Sequence, residues 1–171
     1  MSIKIYVAII LMILSANSVF ASRCLALQNV SEELKASMAV FSGQVIAAEY
    51  KPVSGQAGWP EGIEVLVITF SVARWWKGSG TYEVLVYTGE GRWPDGRQRI
   101  FAHDFTFEVG EKYLVYAFGN EGRLGASTCG RTAKLGDAAE DMRELGEGKL
   151  PDKSASIVTT QPNKGLQRTR R

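Results

Sequence analysis

Hydrophobic positions follow three patterns in turn along the 171-residue chain: one unbroken run, a short four-residue repeat, and then long stretches of alternation. The run is Ile5–Leu14, ten apolar or aromatic residues behind the single cation Lys4. The repeat is Val30, Leu34 and Met38, preceded by the capping candidates Asn29 and Ser31 and by Glu32 and Glu33 in a first turn. It predicts a short amphipathic helix ending near Ala39. Alternation takes over in VFSGQVIAAEY (Val40–Tyr50), where Gly43 marks a bulge or bend. It is longest in IEVLVITFSVARWW (Ile63–Trp76), in which Leu66, Ile68, Phe70 and Val72 share a face. A KGSG turn leads into YEVLVYT (Tyr82–Thr88), and KYLVYAF (Lys112–Phe118) and RLGAST (Arg123–Thr128) follow. The NEG turn between the last two is a hairpin signal, with Gly122 as its candidate for positive φ. Leu135, Ala138, Met142 and Leu145 then predict a closing helix with Asp137 as N-cap. The expectation is an all-β fold of five mostly antiparallel strands, closed or partly open as a small barrel, with short flanking helices near both ends.

The leader changes what the rest of the chain is expected to be. Asn17 and Ser18 end its apolar run, and Val19 and Ala21 occupy the positions that a signal peptidase reads. We therefore expect residues 1–21 to be a secretory signal cleaved before Ser22, since ten apolar residues are too few to span a bilayer. Arg23 stands where a lipoprotein signal needs a small residue before Cys24. The expected destination is the medium or the periplasm, with no transmembrane anchor after cleavage. Residues 22–150 form one expected domain, and 151–171 a disordered basic tail, either simply solvated or in contact with an anionic surface.

Charge argues against one class of partner. The formal net charge of +2 arises in the tail, which carries +4, whereas residues 22–150 carry −3. A mildly acidic domain lacks the clustered cations that phosphate binding needs, so nucleic acid is not expected. Cys24 and Cys129 are the two cysteines of a chain expected in an oxidising compartment. A disulfide is the natural reading, with free thiols or a thiol ligand pair as the alternative. Closing a loop of this length stabilises a fold by up to about 4–5 kcal/mol in the chain-entropy model. No CxxC and no cysteine–histidine cluster is expected to support an intrinsic metal site.

Candidate chemistry is sparse. The single histidine, His103, precedes Asp104, but no nucleophile elbow accompanies the pair, and the nearest serine context is GASTCG. GEGRWPDG (Gly89–Gly96) does not open a helix, so it is no phosphate cradle. No cofactor and no catalytic residue are expected. Two loops share a pattern, Trp59-Pro60-Glu61-Gly62 and Trp93-Pro94-Asp95-Gly96, which fits type I turns that present a tryptophan at the first position. Each tryptophan either packs down on the end of the barrel or serves as an aromatic recognition loop. Trp75-Trp76-Lys77 likewise reads as a stacking platform or as core.

The order VFSGQVIAAEY, ITFSVARWWKGSGTYEVLVYTGEG, FEVGEKYLVYAF, GRLGASTCGRT and a terminal helix resembles the bacterial netrin-like proteins, over roughly residues 24–146. These are similar to the inhibitory domain of the tissue inhibitors of metalloproteinases. The strongest signatures are Trp76-Lys77-Gly78, Gly110-Glu111-Lys112-Tyr113-Leu114 and Cys129. The resemblance implies a five-stranded OB-fold barrel. In that family the first mature residue grips the protease's zinc through its α-amine and carbonyl, and the next side chain enters the specificity pocket. By position these roles fall on Ser22 and Arg23, flanked by the loops Lys51–Gly62 and Gly89–Asp104. Ser22 retains the chelating atoms, and an α-amine with a reference pKa of about 7.7–8.0 is accessible unprotonated near neutral pH. Two features depart from the family pattern: Ser22 replaces a cysteine, and Ala102–Thr106 lacks the cysteine of relatives. The missing pair reads as a disulfide lost as a unit, with Cys24–Cys129 kept.

The expected function is that of a secreted, non-enzymatic module, a candidate inhibitor of zinc metalloendopeptidases or binder of another extracytoplasmic protein. The alternative is a glycan-binding, cell-envelope-binding or purely structural module.

Overall fold

The computed structural model describes residue 24 and residues 28–53, 59–120 and 122–152. The expected leader, Ser22, Arg23 and the chain beyond Asp152 lie outside the described residues.

Asn29 starts the first helix, α1 (Val30–Ala36), through a complete capping box: its side chain accepts from the Glu32 amide at 2.8 Å, and the Glu32 carboxylate accepts from the Asn29 amide at 3.3 Å. The helix stops at Ala36, one turn before the spacing predicted. Met38 has already joined the sheet, its amide donating to the Ala117 carbonyl, and its side chain is exposed. Lys77 caps the other end, its ammonium donating to the carbonyls of Leu34 and Lys35 at 3.1 and 2.8 Å.

Strand β1 (Ala39–Pro52) pairs antiparallel with β2 (Glu64–Lys77), and β2 with β3 (Glu83–Arg92). A two-residue β4 (Gln98–Arg99) pairs with the end of β3. Strand β5 (Lys112–Asn120) pairs with both β1 and the short β6 (Arg123–Gly125), which lies parallel to β3. The five strands β1, β2, β3, β6 and β5 thus close in a ring. A further two-residue strand, β7 (Ala133–Lys134), extends the outer edge of β5. The bulge expected at Gly43 is present as a register shift between Ser42 and Gly43. In the β5–β6 hairpin the positive φ falls on Gly119 (112°), not on Gly122.

Alternation sorts side chains between two faces. Inside the ring lie Phe41, Ile68, Phe70, Val72, Trp75, Tyr113 and Val115, joined by the partly buried Leu66, Phe105 and Phe107. Aromatic rings there meet edge to face, Phe70 with Phe107 at 5.1 Å and Phe107 with Tyr113 at 5.0 Å. Outside, Val40, Leu114 and Tyr116 are covered by Leu34 of α1 and by Leu135, Ala138, Met142 and Leu145 in and before the closing helix α2 (Ala139–Leu145). The predicted apolar face of that helix is correct. Its N-cap is Ala138 without a side-chain bond, one residue after the predicted Asp137, whose amide donates to the Lys134 carbonyl in the preceding turn. Trp75 and Trp76 divide between the two faces, Trp75 buried in the ring and Trp76 half-buried beneath the helices, so both pack rather than form a free platform.

The helix α2 itself buries a carboxylate. Asp141 accepts from Tyr116 Oη at 2.8 Å and from both Nε and Nη2 of Arg131, at 2.8 and 2.5 Å. Arg131 also donates to the Gln28 carbonyl, tying the segment before α1 to the closing helix. Burial alone raises the Asp141 carboxyl, but the hydrogen bonds from Arg131 and Tyr116 outweigh it and hold the group below its ordinary value. A depressed folded-state pKa contributes stability that is present above the unfolded value and lost as pH falls through the folded one. Asp141→Asn leaves the guanidinium buried without its counter-charge and is expected to cost about 3 kcal/mol in urea denaturation at neutral pH. It should also flatten the acid limb of the stability profile below about pH 4. An unchanged acid limb would assign the limb to other carboxylates.

Candidate functional site

Past the end of the ring, β3 runs on as Thr88–Arg92 and turns back through Trp93-Pro94-Asp95-Gly96. The turn has the predicted form, with the Gly96 amide donating to the Trp93 carbonyl at 3.0 Å. Asp95 accepts from the Arg97 amide and guanidinium, while that guanidinium lies 5.0 Å over the Trp93 ring. Trp93 does not stand alone: with Trp59 and Tyr87 it packs on a small cluster of buried Val53, Ile63 and Val65. Packing down on the end of the fold is therefore what both tryptophans do, and for Trp93 it is the larger part.

Trp59 does more. Arg123 lies over its ring at 4.1 Å and Arg99 at 4.9 Å, and Arg99 also lies over Phe101 at 4.2 Å. The indole nitrogen of Trp59 is buried with no hydrogen-bond partner among the described residues. Trp59, Arg99, Phe101, His103, Asp104 and Arg123 line a cleft of about 450 Å³. Gly89 forms part of its wall, because a Cβ there would collide with the side chains of Phe101 and Asp104. The Gly89 amide donates to Asp104 Oδ2 at 2.6 Å.

Electrostatically the cleft holds its two guanidiniums close together. Burial, and then the neighbouring Arg99, lower the Arg123 pKa from its ordinary value. Asp104 is raised above its ordinary value because burial outweighs the Gly89 hydrogen bond and the attraction of Arg99. Its carboxylate is directed at Gly89, while Nδ1 of His103 faces the Sγ of Cys129 at 3.5 Å. The His103-Asp104 pair of the sequence is thus not arranged as imidazole and orienting acid.

Cys24 and Cys129 form the expected disulfide, with Cα atoms 5.2 Å apart. Cys24 is exposed and Cys129 half-buried, and the bond borders the cleft through His103. His103 is held there by backbone: the Thr128 amide donates to its carbonyl at 2.9 Å, and the Phe105 amide donates to Ala126 at 3.2 Å. Of the residues singled out in the sequence, the fold brings Trp59, His103 and Cys24–Cys129 to one rim and sets Trp93 behind Trp59. Ser22 and Arg23 lie outside the described residues. Sequence reasoning missed Arg99, Phe101 and Arg123, which meet Trp59 only through the pairing of β3, β4 and β6. A cue existed only in the alternation Arg99-Ile100-Phe101, too short to be read as a strand face. The chain matches no protein-family model, and no curated protein is significantly similar to it.

Asp104 is expected to titrate above its ordinary value of 3.8, with the Gly89 amide proton shifting along the same curve. Carboxyl-detected NMR across pH 2–7 measures it. A midpoint at or below the ordinary value would mean that the Gly89 bond, rather than burial, governs the group.

Proposed function

We propose that this chain is a secreted, non-enzymatic netrin-like module of the OB type that binds a protein partner, in the first instance a zinc metalloendopeptidase. The binding edge is the rim at which Cys24, the Trp59 loop and the segment Arg99–Asp104 meet. One observation carries the reading: Cys24, two positions after Ser22, is held by Cys129 beside His103, and His103 lines the cleft with Trp59 and Arg99. A chain end leaving Cys24 therefore starts next to the two loops that flank the inhibitory terminus in the resembled family. Other features are consistent with it. Five strands closed through β1 and β5 suit an OB barrel. A disulfide, and no helix among the described residues long and apolar enough to cross a membrane, are compatible with an extracellular or periplasmic location. The diversion of Asp104 away from His103 supports a binding role over hydrolysis.

Secreted protein, its N-terminus confirmed by mass spectrometry, is titrated against several zinc endopeptidases beside a form with one alanine added before Ser22. Inhibition by the native form, reduced at least about 100-fold by the extension, is expected if the free α-amine and carbonyl of Ser22 chelate the zinc. Equal inhibition by both forms, or by neither, would remove the chelating role.

A second reading rests on the cleft itself. Phe101 is 45% exposed and shares Arg99 with Trp59, an arrangement suited to stacking a sugar ring. Under that reading Phe101→Ala weakens retention on envelope polysaccharide about 10-fold, one to two kcal/mol of lost stacking, and the N-terminal alanine changes nothing. Affinity electrophoresis separates the two.

A further inference from the structure

We propose that Cys24, Cys129 and His103 constitute a redox-gated site for a thiophilic divalent cation, zinc by preference: a disulfide when oxidised, a two-thiolate, one-imidazole centre when reduced. The proposal does not need the partner-binding reading to hold, although both involve the Cys24–Cys129 bond.

Three donor atoms converge here. The two Sγ atoms and a ring nitrogen of His103 all lie within 4.8 Å of one another, and Nδ1 is 3.5 Å from the Cys129 sulfur. On a tetrahedral zinc, with a thiolate at about 2.3 Å and an imidazole nitrogen at about 2.0 Å, those two donor atoms lie roughly 3.5 Å apart. His103 and Cys129 therefore already stand at the separation of two ligands on one ion. Cys24 is the ligand that has to move: its sulfur parts from that of Cys129 to roughly 3.8 Å and settles toward His103, which breaking the bond permits.

Two of the three ligands owe their placement to contacts other than the disulfide. The His103 carbonyl accepts from the Thr128 amide, Asp104 bridges to Ser127, and the Cys129 amide donates to Ser127 Oγ at 3.0 Å. Reduction leaves these bonds intact. Cys24 remains within reach because Gln28, four residues on, is tethered by Arg131. Cys24 and His103 are both exposed, so reductant and metal reach the site directly, and the open side leaves a fourth coordination position for water.

A dithiol or phosphine reductant supplies two electrons, the sulfur–sulfur bond breaks, and each sulfur takes one proton from solvent. Zinc then displaces both thiol protons and accepts a lone pair from neutral His103 Nδ1. A low-molecular-weight disulfide takes two electrons back from the thiolates and leaves as two thiols, the Cys24–Cys129 bond re-forms, and the ion is released. The same three side chains hold either a covalent bond or a metal, never both.

The test uses the full mature chain in three forms: oxidised, reduced anaerobically with a phosphine, and reduced His103→Ala. Zinc affinity is read by competition with a chromophoric chelator, and cobalt(II) substitution reports the ligands by its thiolate charge-transfer band. Reduced protein is expected to bind one zinc, oxidised protein at least about 100-fold more weakly and reduced His103→Ala about 10-fold or more weakly. Equal affinity of reduced wild type and reduced His103→Ala would overturn the site, as would equal affinity of the oxidised and reduced forms. Near-UV circular dichroism runs alongside. A reduced chain that loses its fold and does not regain it with zinc also overturns the proposal. If His103→Ala alone misfolds, His103→Gln replaces it, with the same loss expected.

Discussion

Strand β1 is hydrogen-bonded along both edges over the same five residues, Val40–Gln44, and the rest of the molecule depends on that double pairing. Without the β5 side, the sheet would be an open meander with two bare edges and an unclosed apolar face. With it, Phe41, Phe70 and Tyr113 are enclosed on all sides. A strand that serves two neighbours at different angles has to bend. The register shifts at Val40/Phe41, Ser42/Gly43 and Val45/Ala47 supply the bend where the pairing demands it. The curvature then decides which loops end up together.

The two outer regions are finished by different chemistry. On one side the helices α1 and α2 cover Val40, Leu114 and Tyr116, and the ion pair of Arg131 with Asp141 locks them down. On the rim no helix is available, and guanidinium groups lie over the aromatic rings instead: Arg99 and Arg123 over Trp59, Arg99 over Phe101, Arg97 over Trp93. A helix buries what it covers for good. An arginine on a flexible stem covers a ring while leaving it reachable. That difference in covering is a physical reason to look for recognition on the rim and for stability under the helices.

Much of this was legible in the sequence where short-range rules apply. The strand order, the Gly43 bulge, the Asn29 start of α1, the apolar face of α2 and the disulfide all follow from period, capping chemistry and compartment. Most of what failed was set by partners distant in the chain. Met38 fits the helical spacing, yet the Ala117 carbonyl draws its backbone into the sheet. Asp137 is a good cap by type, but a preceding turn already holds its amide. The candidate site was half legible: Trp59 and Trp93 stood out by their paired turns, whereas Arg99, Arg123 and the meeting of His103 with Cys129 depend on pairings 20 or more residues apart, such as Thr128 with His103.

The most direct test of the double pairing is native-state hydrogen exchange of backbone amides, resolved by residue. Amides of Val40–Gln44 and Tyr113–Ala117 are expected to exchange only through global unfolding, at the same free energy as the β2–β3 core. Exchange of the β1–β5 amides by local opening, while β2–β3 stays protected, would mean that the ring is not closed by this pairing. The common rim of Cys24, Trp59 and His103 would then lose its structural basis.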